Sequence, residues 1–166
     1  AVLGERHAPG VDWILNDPYR GGTHLPDITL VSPAFVDGEL VGFVASRAHH
    51  ADVGGATPAG MPARSRSLEE EGVVIPPTRA DAAELERLAG MMRSPRQRLA
   101  DLRAQAAANR VGLARIAELA ARHGRELLQR GMEEVLAYAE RRARAAIAAL
   151  PDGTWTAEEA LEDDAG

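Results

Sequence analysis

Cysteine and lysine are both absent from this chain. Without cysteine there are no disulfides, no thiolate nucleophiles and no cysteine-ligated metals. Without lysine every positive charge is arginine, which excludes Schiff-base or amine nucleophile chemistry by this chain. Aromatic residues are only 4% of the total, so a core must lean on Leu, Val, Ile and Ala. No apolar run is long enough to span a bilayer, and no signal-peptide pattern is evident. The cytoplasm is therefore the expected location. A net charge of −6 argues against a nucleic-acid partner.

What is present divides by composition. Residues 1–77 are rich in Gly, Pro, Val and Thr and read as strand and loop, whereas residues 78–166 are dominated by Ala, Leu, Arg and Glu and read as helix. The expected class is α+β. Val11–Leu15 reads as a short buried strand, ended by Asn16-Asp17-Pro18. Asp37-Gly38 between Ile28–Val36 and Glu39–Ala48 is a strong hairpin signal. Val73–Ile75 is expected to be one more short strand. Further on, Asp81 with Glu84 fits a capping box for a helix ending near Gly90. Ser94-Pro95-Arg96-Gln97 marks the start of a longer helix, with Ser94 as N-cap and Pro95 in the first turn. Its stripe runs through Leu99, Leu102, Ala106, Asn109, Leu113, Ile116 and Ala120 to His123, and Gly124 suits the C-cap. A second long helix carries Leu127, Leu128, Met132, Val135, Leu136, Ala139, Ala146, Ile147 and Leu150 up to Pro151. The two helices are expected to pair antiparallel. Glu158–Asp164 reads as a frayed acidic tail.

The hairpin carries a geometric expectation. If Val36 pairs with Glu39, Asp27 falls opposite Ala48 and Pro26 opposite His49. Opposed residues have Cβ atoms roughly 4.5–5.5 Å apart. Pro33 is expected to introduce a bulge that shifts this register by one residue. Either way the hairpin ends bring His24 and Asp27 beside His49 and His50. His24 and Asp27 would face opposite ways on a straight strand, so they converge only if the backbone bends between them. Pro26 and Gly21-Gly22 make such a bend plausible. Two imidazoles and a carboxylate suit Zn, Mn or Fe(II), with coordination positions left for water or substrate. A single histidine beside a strand is more often an ordinary core or surface residue. The pair His49-His50 with Asp52, set beside His24 and Asp27 by the hairpin, makes the case, with His24, Asp27 and His49 as the leading ligand set. Arg20 and Arg47 flank the group and suit a carboxylate, and the competing reading is surface charge. Asp52, His50 and Glu71 are the acid–base candidates, Asp52 first for its nearness in sequence to the histidine pair.

The motifs Asn16–Asp27, Gly42–Gly55 and Glu69–Gly72, then Arg93–Gln97, Asp101–Arg110 and Leu150–Thr154, resemble the hydantoinase B/oxoprolinase family over nearly the whole chain. The resemblance implies a B subunit of an ATP-dependent hydrolase that opens hydantoins or 5-oxoproline. It implies a hydantoinase A-like partner with an actin-like fold that holds the ATP, so that the assembly is a hetero-oligomer. Its relatives include subunits of ATP-dependent ketone carboxylases, which is the alternative function. The third possibility is a catalytically incomplete assembly fragment. In the carboxylase relatives the B-type subunit holds a metal, and the residues matching its ligands here are His24, Asp27 and His49, the trio already reached from the hairpin. Family members are longer at both ends, so this chain is expected to be an internal fragment.

Overall fold

The computed structural model describes residues 7–59 and 62–160. The elements run β1 (Trp13–Leu15), β2 (Asp27–Val36), β3 (Glu39–His49), α1 (Leu68–Glu71), β4 (Thr78–Arg79), α2 (Ala82–Met91), α3 (Pro95–His123) and α4 (Arg125–Ala148). The class is α+β, with a four-stranded antiparallel sheet in the order β3-β2-β1-β4. The chain divides into two compact units, Ala1–Leu128 and Gln129–Gly166.

The hairpin forms at Asp37-Gly38, both at positive φ (52° and 82°). That is the backbone a tight two-residue turn demands, and Asp-Gly tolerates it. From the turn Val36 pairs with Glu39 and Phe35 with Leu40, as the sequence suggests. Then the register changes. Ala34 pairs with Gly42, so Val41 is an extra residue in β3, and every later pair moves by one. Asp27 therefore lies opposite His49 and not opposite Ala48. The slip occurs beside Ala34 and Phe35, while Pro33 itself pairs with Phe43. A slip of one residue exchanges the faces of a strand. The bulge thus places His49 on the same face as Asp27.

Strand alternation gives the sheet two different faces. One carries Ile14, Ile28 and Leu30, all fully buried, which pack in a single cluster with Val53, Ile75, Leu85, Leu88, Leu102 and Ala106. Full burial of one Leu or Ile contributes about 1.5–3 kcal/mol, against about 0–1 kcal/mol for a surface ion pair. This cluster therefore holds α2 and α3 on the sheet. The other face carries a smaller cluster of Trp13, Leu15 and Val31. Asp27, Thr29, Arg47 and His49 stand on that second face.

Several boundaries follow the sequence signals. The Asp81 carboxylate accepts the Glu84 N–H at 2.8 Å and caps α2. Gly124, at φ 82°, closes α3, and its N–H donates to the Ala120 carbonyl. Two local expectations are corrected. Ser94 precedes Pro95 as expected but adopts a left-handed backbone (φ 54°), and its hydroxyl caps nothing. In that conformation the side chain is not aimed at the first free N–H groups of the helix. Val73–Ile75 is not a strand of the sheet. The Ile75 carbonyl instead accepts the N–H groups of Asn16 and Asp17, and the fourth strand is Thr78–Arg79.

Along α3 the buried side chains are Arg98, Leu102, Gln105, Ala106, Asn109 and Ala120. Within α4 no residue is buried, and Val135, Leu136 and Ile147 are exposed, although the sequence pattern assigns them to a packed stripe. Of the acidic tail, residues 161–164 lie outside those described. No helix among the described residues is long and apolar enough to cross a membrane.

Candidate metal centre

The loop that delivers His24 is built around Asn16 and Asp17. Asp17 accepts the Gly22 N–H through its carbonyl and the Tyr19 N–H through its side chain, folding residues 17–22 into a tight turn. Gly22 lies against this turn so closely that a Cβ there would stand 2.1 Å from the Asn16 carbonyl oxygen. Asn16 is completely buried, and its amide nitrogen donates to the carbonyls of Leu25 and Val73 at 2.8 and 2.9 Å. Its Oδ1 accepts the Ile75 N–H at 2.6 Å. The carbonyl of Leu25, next to His24, is thereby fixed to the core.

The chain then turns. The Asp27 N–H donates to the His24 carbonyl at 2.9 Å, so the two residues are the ends of one four-residue turn. This is the bend that convergence requires. His24 Nδ1 stands 3.6 Å from Asp27 Oδ2, and His49 Nδ1 is hydrogen-bonded to Asp27 Oδ1 at 2.9 Å. The two rings stack with centroids 5.3 Å apart. One donor atom from each of His24, Asp27 and His49 lies within 4.8 Å of the others. Ligands about 2.0–2.2 Å from a shared ion are at most about 4.4 Å apart. The group fits a divalent ion after a small side-chain adjustment. His24 and His49 are partly exposed and free to make it.

Arg47 stands beside this group. It is the cross-strand partner of Thr29, two residues from His49 along the same face. Its Nε donates to Thr29 Oγ1 at 2.9 Å, and its Nη1 reaches Thr23 Oγ1 at 3.4 Å. Those bonds orient the guanidinium while leaving N–H donors free. Arg20 sits in the preceding turn, largely exposed, 3.7 Å from the Asp17 carboxylate.

The three acid–base candidates have other partners. Asp52 accepts the N–H groups of Gly54 and Ala59 at 2.8 and 2.9 Å. Arg93 approaches the same carboxylate at 3.4 Å and also donates to the Gly55 carbonyl. Burial works to raise the Asp52 pKa, but the two N–H groups and the Arg93 charge outweigh it and hold the carboxyl below its usual range. Glu71 accepts the Ser65 hydroxyl at 3.0 Å. His50 is only 3% exposed, and its Nε2 meets Gln105 Oε1 at 2.8 Å. Desolvation depresses its pKa despite the opposing Gln105 bond and the Asp101 charge.

Gln105 has no part in the sequence reading of the site, although its position between Leu102 and Asn109 puts it on the buried stripe of α3. A polar residue at an apolar position of a helix was the available signal.

A small antiparallel sheet with α2 and α3 against one face, and a His-Asp-His group at the hairpin ends on the other, is the class of structure present here. The family model for hydantoinase B/oxoprolinase matches residues 2–166, and the chain belongs to that family. It is 37% identical over 159 residues to 5-oxoprolinase 1 of Arabidopsis thaliana, covering 85% of this chain and 13% of the relative. It is 33% identical over 160 residues to the putative B subunit of a D-/L-hydantoinase from a Pseudomonas strain, covering 89% and 26%. Among solved structures, the ATP-dependent caprolactamase from Pseudomonas jessenii superposes with a TM-score of 0.81 at 31% identity, over 92% of this chain and 27% of that one. Acetone carboxylase shares the fold, with a TM-score of 0.68 at 24% identity, over 73% and 17%. The chain thus spans about a quarter or less of the length of these relatives.

Proposed function

We propose that this chain is the metal-binding part of the B subunit of an ATP-dependent cyclic-amide hydrolase. The observation that carries the proposal is the convergence of His24, Asp27 and His49 donors within 4.8 Å in a chain of this family. The relatives named as a 5-oxoprolinase and as a hydantoinase B subunit, together with the caprolactamase neighbour, support a cyclic amide as substrate class. The carboxylase likeness, at 24% identity, speaks for the fold alone.

In this reading His24, Asp27 and His49 hold a divalent Mn, Zn or Fe. Such an ion, when bound, polarises an oxygen of the substrate or lowers the pKa of a water. Arg47, oriented by Thr29 and Thr23, receives a carboxylate of the substrate or a phosphate. Arg20, in the turn that precedes His24, is assigned the same role. Asp52 and Glu71 brace the loop that follows β3, and His50 anchors its first residue, so acid–base help is assigned to none of the three. A hydantoinase A-like partner supplies the ATP.

Elemental analysis tests the metal claim. The purified chain should retain about one Mn, Zn or Fe, and His24→Ala should lose it. A wild-type chain that takes up none of these metals after reloading refutes it. For the reaction, the full-length B subunit and its ATP-binding partner should open a hydantoin, 5-oxoproline or lactam ring only when ATP is supplied. No ring opening by the complete pair would overturn the hydrolase reading.

A further inference from the structure

Two side chains of α3, Gln105 and Asn109, lie one turn apart and reach into the hairpin. Gln105 Nε2 donates to the Ile28 carbonyl at 3.0 Å and approaches the Ser46 carbonyl at 3.4 Å. Both acceptors are carbonyls, which fixes the orientation of the amide and leaves Oε1 as an acceptor. Oε1 then accepts a hydrogen bond from the His50 Nε2–H, 2.8 Å away. One side chain therefore ties β2, β3 and the first residue after β3 together. Asn109 does the same further along. Its Nδ2 donates to the Leu30 carbonyl at 3.2 Å and to Ser32 Oγ at 3.0 Å, and approaches the Val44 carbonyl at 3.4 Å.

The two clamps differ in what they hold. Ile28 follows Asp27, and His50 follows His49. The backbone N–H groups of Ile28 and His50 both donate to the Pro26 carbonyl, at 3.0 and 2.8 Å. The Gln105 clamp is thus fastened to the two residues adjoining the Asp27–His49 pair, on the opposite face of the sheet. Asn109 is fastened at Leu30, Ser32 and Val44, farther from the hairpin ends.

We propose that Gln105 is a positioning residue for the His24–Asp27–His49 group, acting through Ile28 and His50 to hold the hairpin ends in the register that brings the three donors together. The inference rests on reading this trio as a metal-ligand group, and Asn109 supplies an internal control. Both side chains are buried and each bonds several strand atoms, so each stabilises the domain. Only Gln105 should act on the site.

The test compares Gln105→Met, which keeps the bulk and removes the hydrogen bonds, with Asn109→Leu. In metal-free protein, amide hydrogen exchange is measured residue by residue. Gln105→Met should speed exchange at Asp27, Ile28 and His50 at least tenfold more than at Ser32 and Val44, and Asn109→Leu should show the reverse. His50→Leu, which removes one arm of the clamp, should give the first pattern at smaller size and serves if Gln105→Met does not fold. Titration with Mn or Zn should then show at least tenfold weaker binding for the Gln105 variant and less than twofold change for Asn109→Leu. Uniform acceleration of exchange in the Gln105 and His50 variants, or equal loss of metal affinity from both clamps, overturns the proposal. If the wild-type chain binds no metal, the ligand reading of the trio fails, and the exchange pattern alone decides whether Gln105 holds the hairpin ends.

Discussion

Asp27 and His49 are direct cross-strand partners, joined by a 2.9 Å bond from the His49 ring to the Asp27 carboxylate. The extra residue Val41 makes this pairing possible by bringing His49 onto the face that Asp27 occupies. A site made this way should be separable from fold stability, because its side chains are partly exposed. His24→Ala, Asp27→Asn and His49→Ala should each weaken Mn or Zn binding at least ~100-fold while changing stability by only about 0.5 kcal/mol. Calorimetric titration paired with denaturant unfolding gives both numbers. A variant that loses stability but keeps its metal would contradict the assignment.

Asn16 should behave in the opposite way. Its side chain is fully buried and makes three hydrogen bonds, and removing it leaves two carbonyls and one N–H without partners. Asn16→Ala is expected to lower stability by about 2–4 kcal/mol. Guanidinium unfolding midpoints would register this directly, and a loss below about 1 kcal/mol would show that the loop relaxes around the gap.

Two glycines provide a contrast. A Cβ at Gly22 would overlap the Asn16 backbone, whereas one at Gly42 would meet nothing within 4 Å. Gly22→Ala should cost about 2 kcal/mol or more, since backbone must shift. Gly42→Ala should be neutral or stabilising by roughly 0.4–1 kcal/mol through reduced freedom of the unfolded chain. Thermal melts of the pair would test it, and equal effects would refute the packing argument.

Asp52 predicts a pH dependence. Its folded pKa lies below its unfolded one, the usual sign for a carboxylate with good partners. Its contribution is fully present above the unfolded value, about 3.9, and is lost as pH falls through the folded value. Asp52→Asn should therefore be less stable than wild type at neutral pH, and the difference should shrink as pH falls below about 4. A difference that stays constant down to pH 2 (roughly two units below the unfolded value) would mean that Asp52 acts through shape alone.

Much of the fold was legible because its signals are local. Asp37-Gly38 specifies the turn, Asp81 with Glu84 the start of α2, and Gly124 the end of α3, each through the backbone geometry of a few neighbouring residues. The nearness of His24, Asp27 and His49 was legible, since a hairpin must bring its two ends together. The bulge was less so: Pro33 was the visible cause of irregularity, but the extra residue lies in the opposite strand beside Ala34 and Phe35. The α4 stripe shows the converse limit. Apolar periodicity marks a face that suits packing, and Val135, Leu136 and Ile147 have that periodicity while remaining exposed.

The sequence by itself determined the chemistry: no thiol, no amine, and two imidazoles with a carboxylate at the ends of one hairpin. It also determined the family, through long motifs spread along the chain. Only the tertiary structure decided that His49 faces Asp27, that Asp52 and Glu71 are engaged in loops, and that Gln105 grips the hairpin from behind. Register, face and hydrogen-bond partner depend on residues far apart in the chain, and no local propensity encodes them.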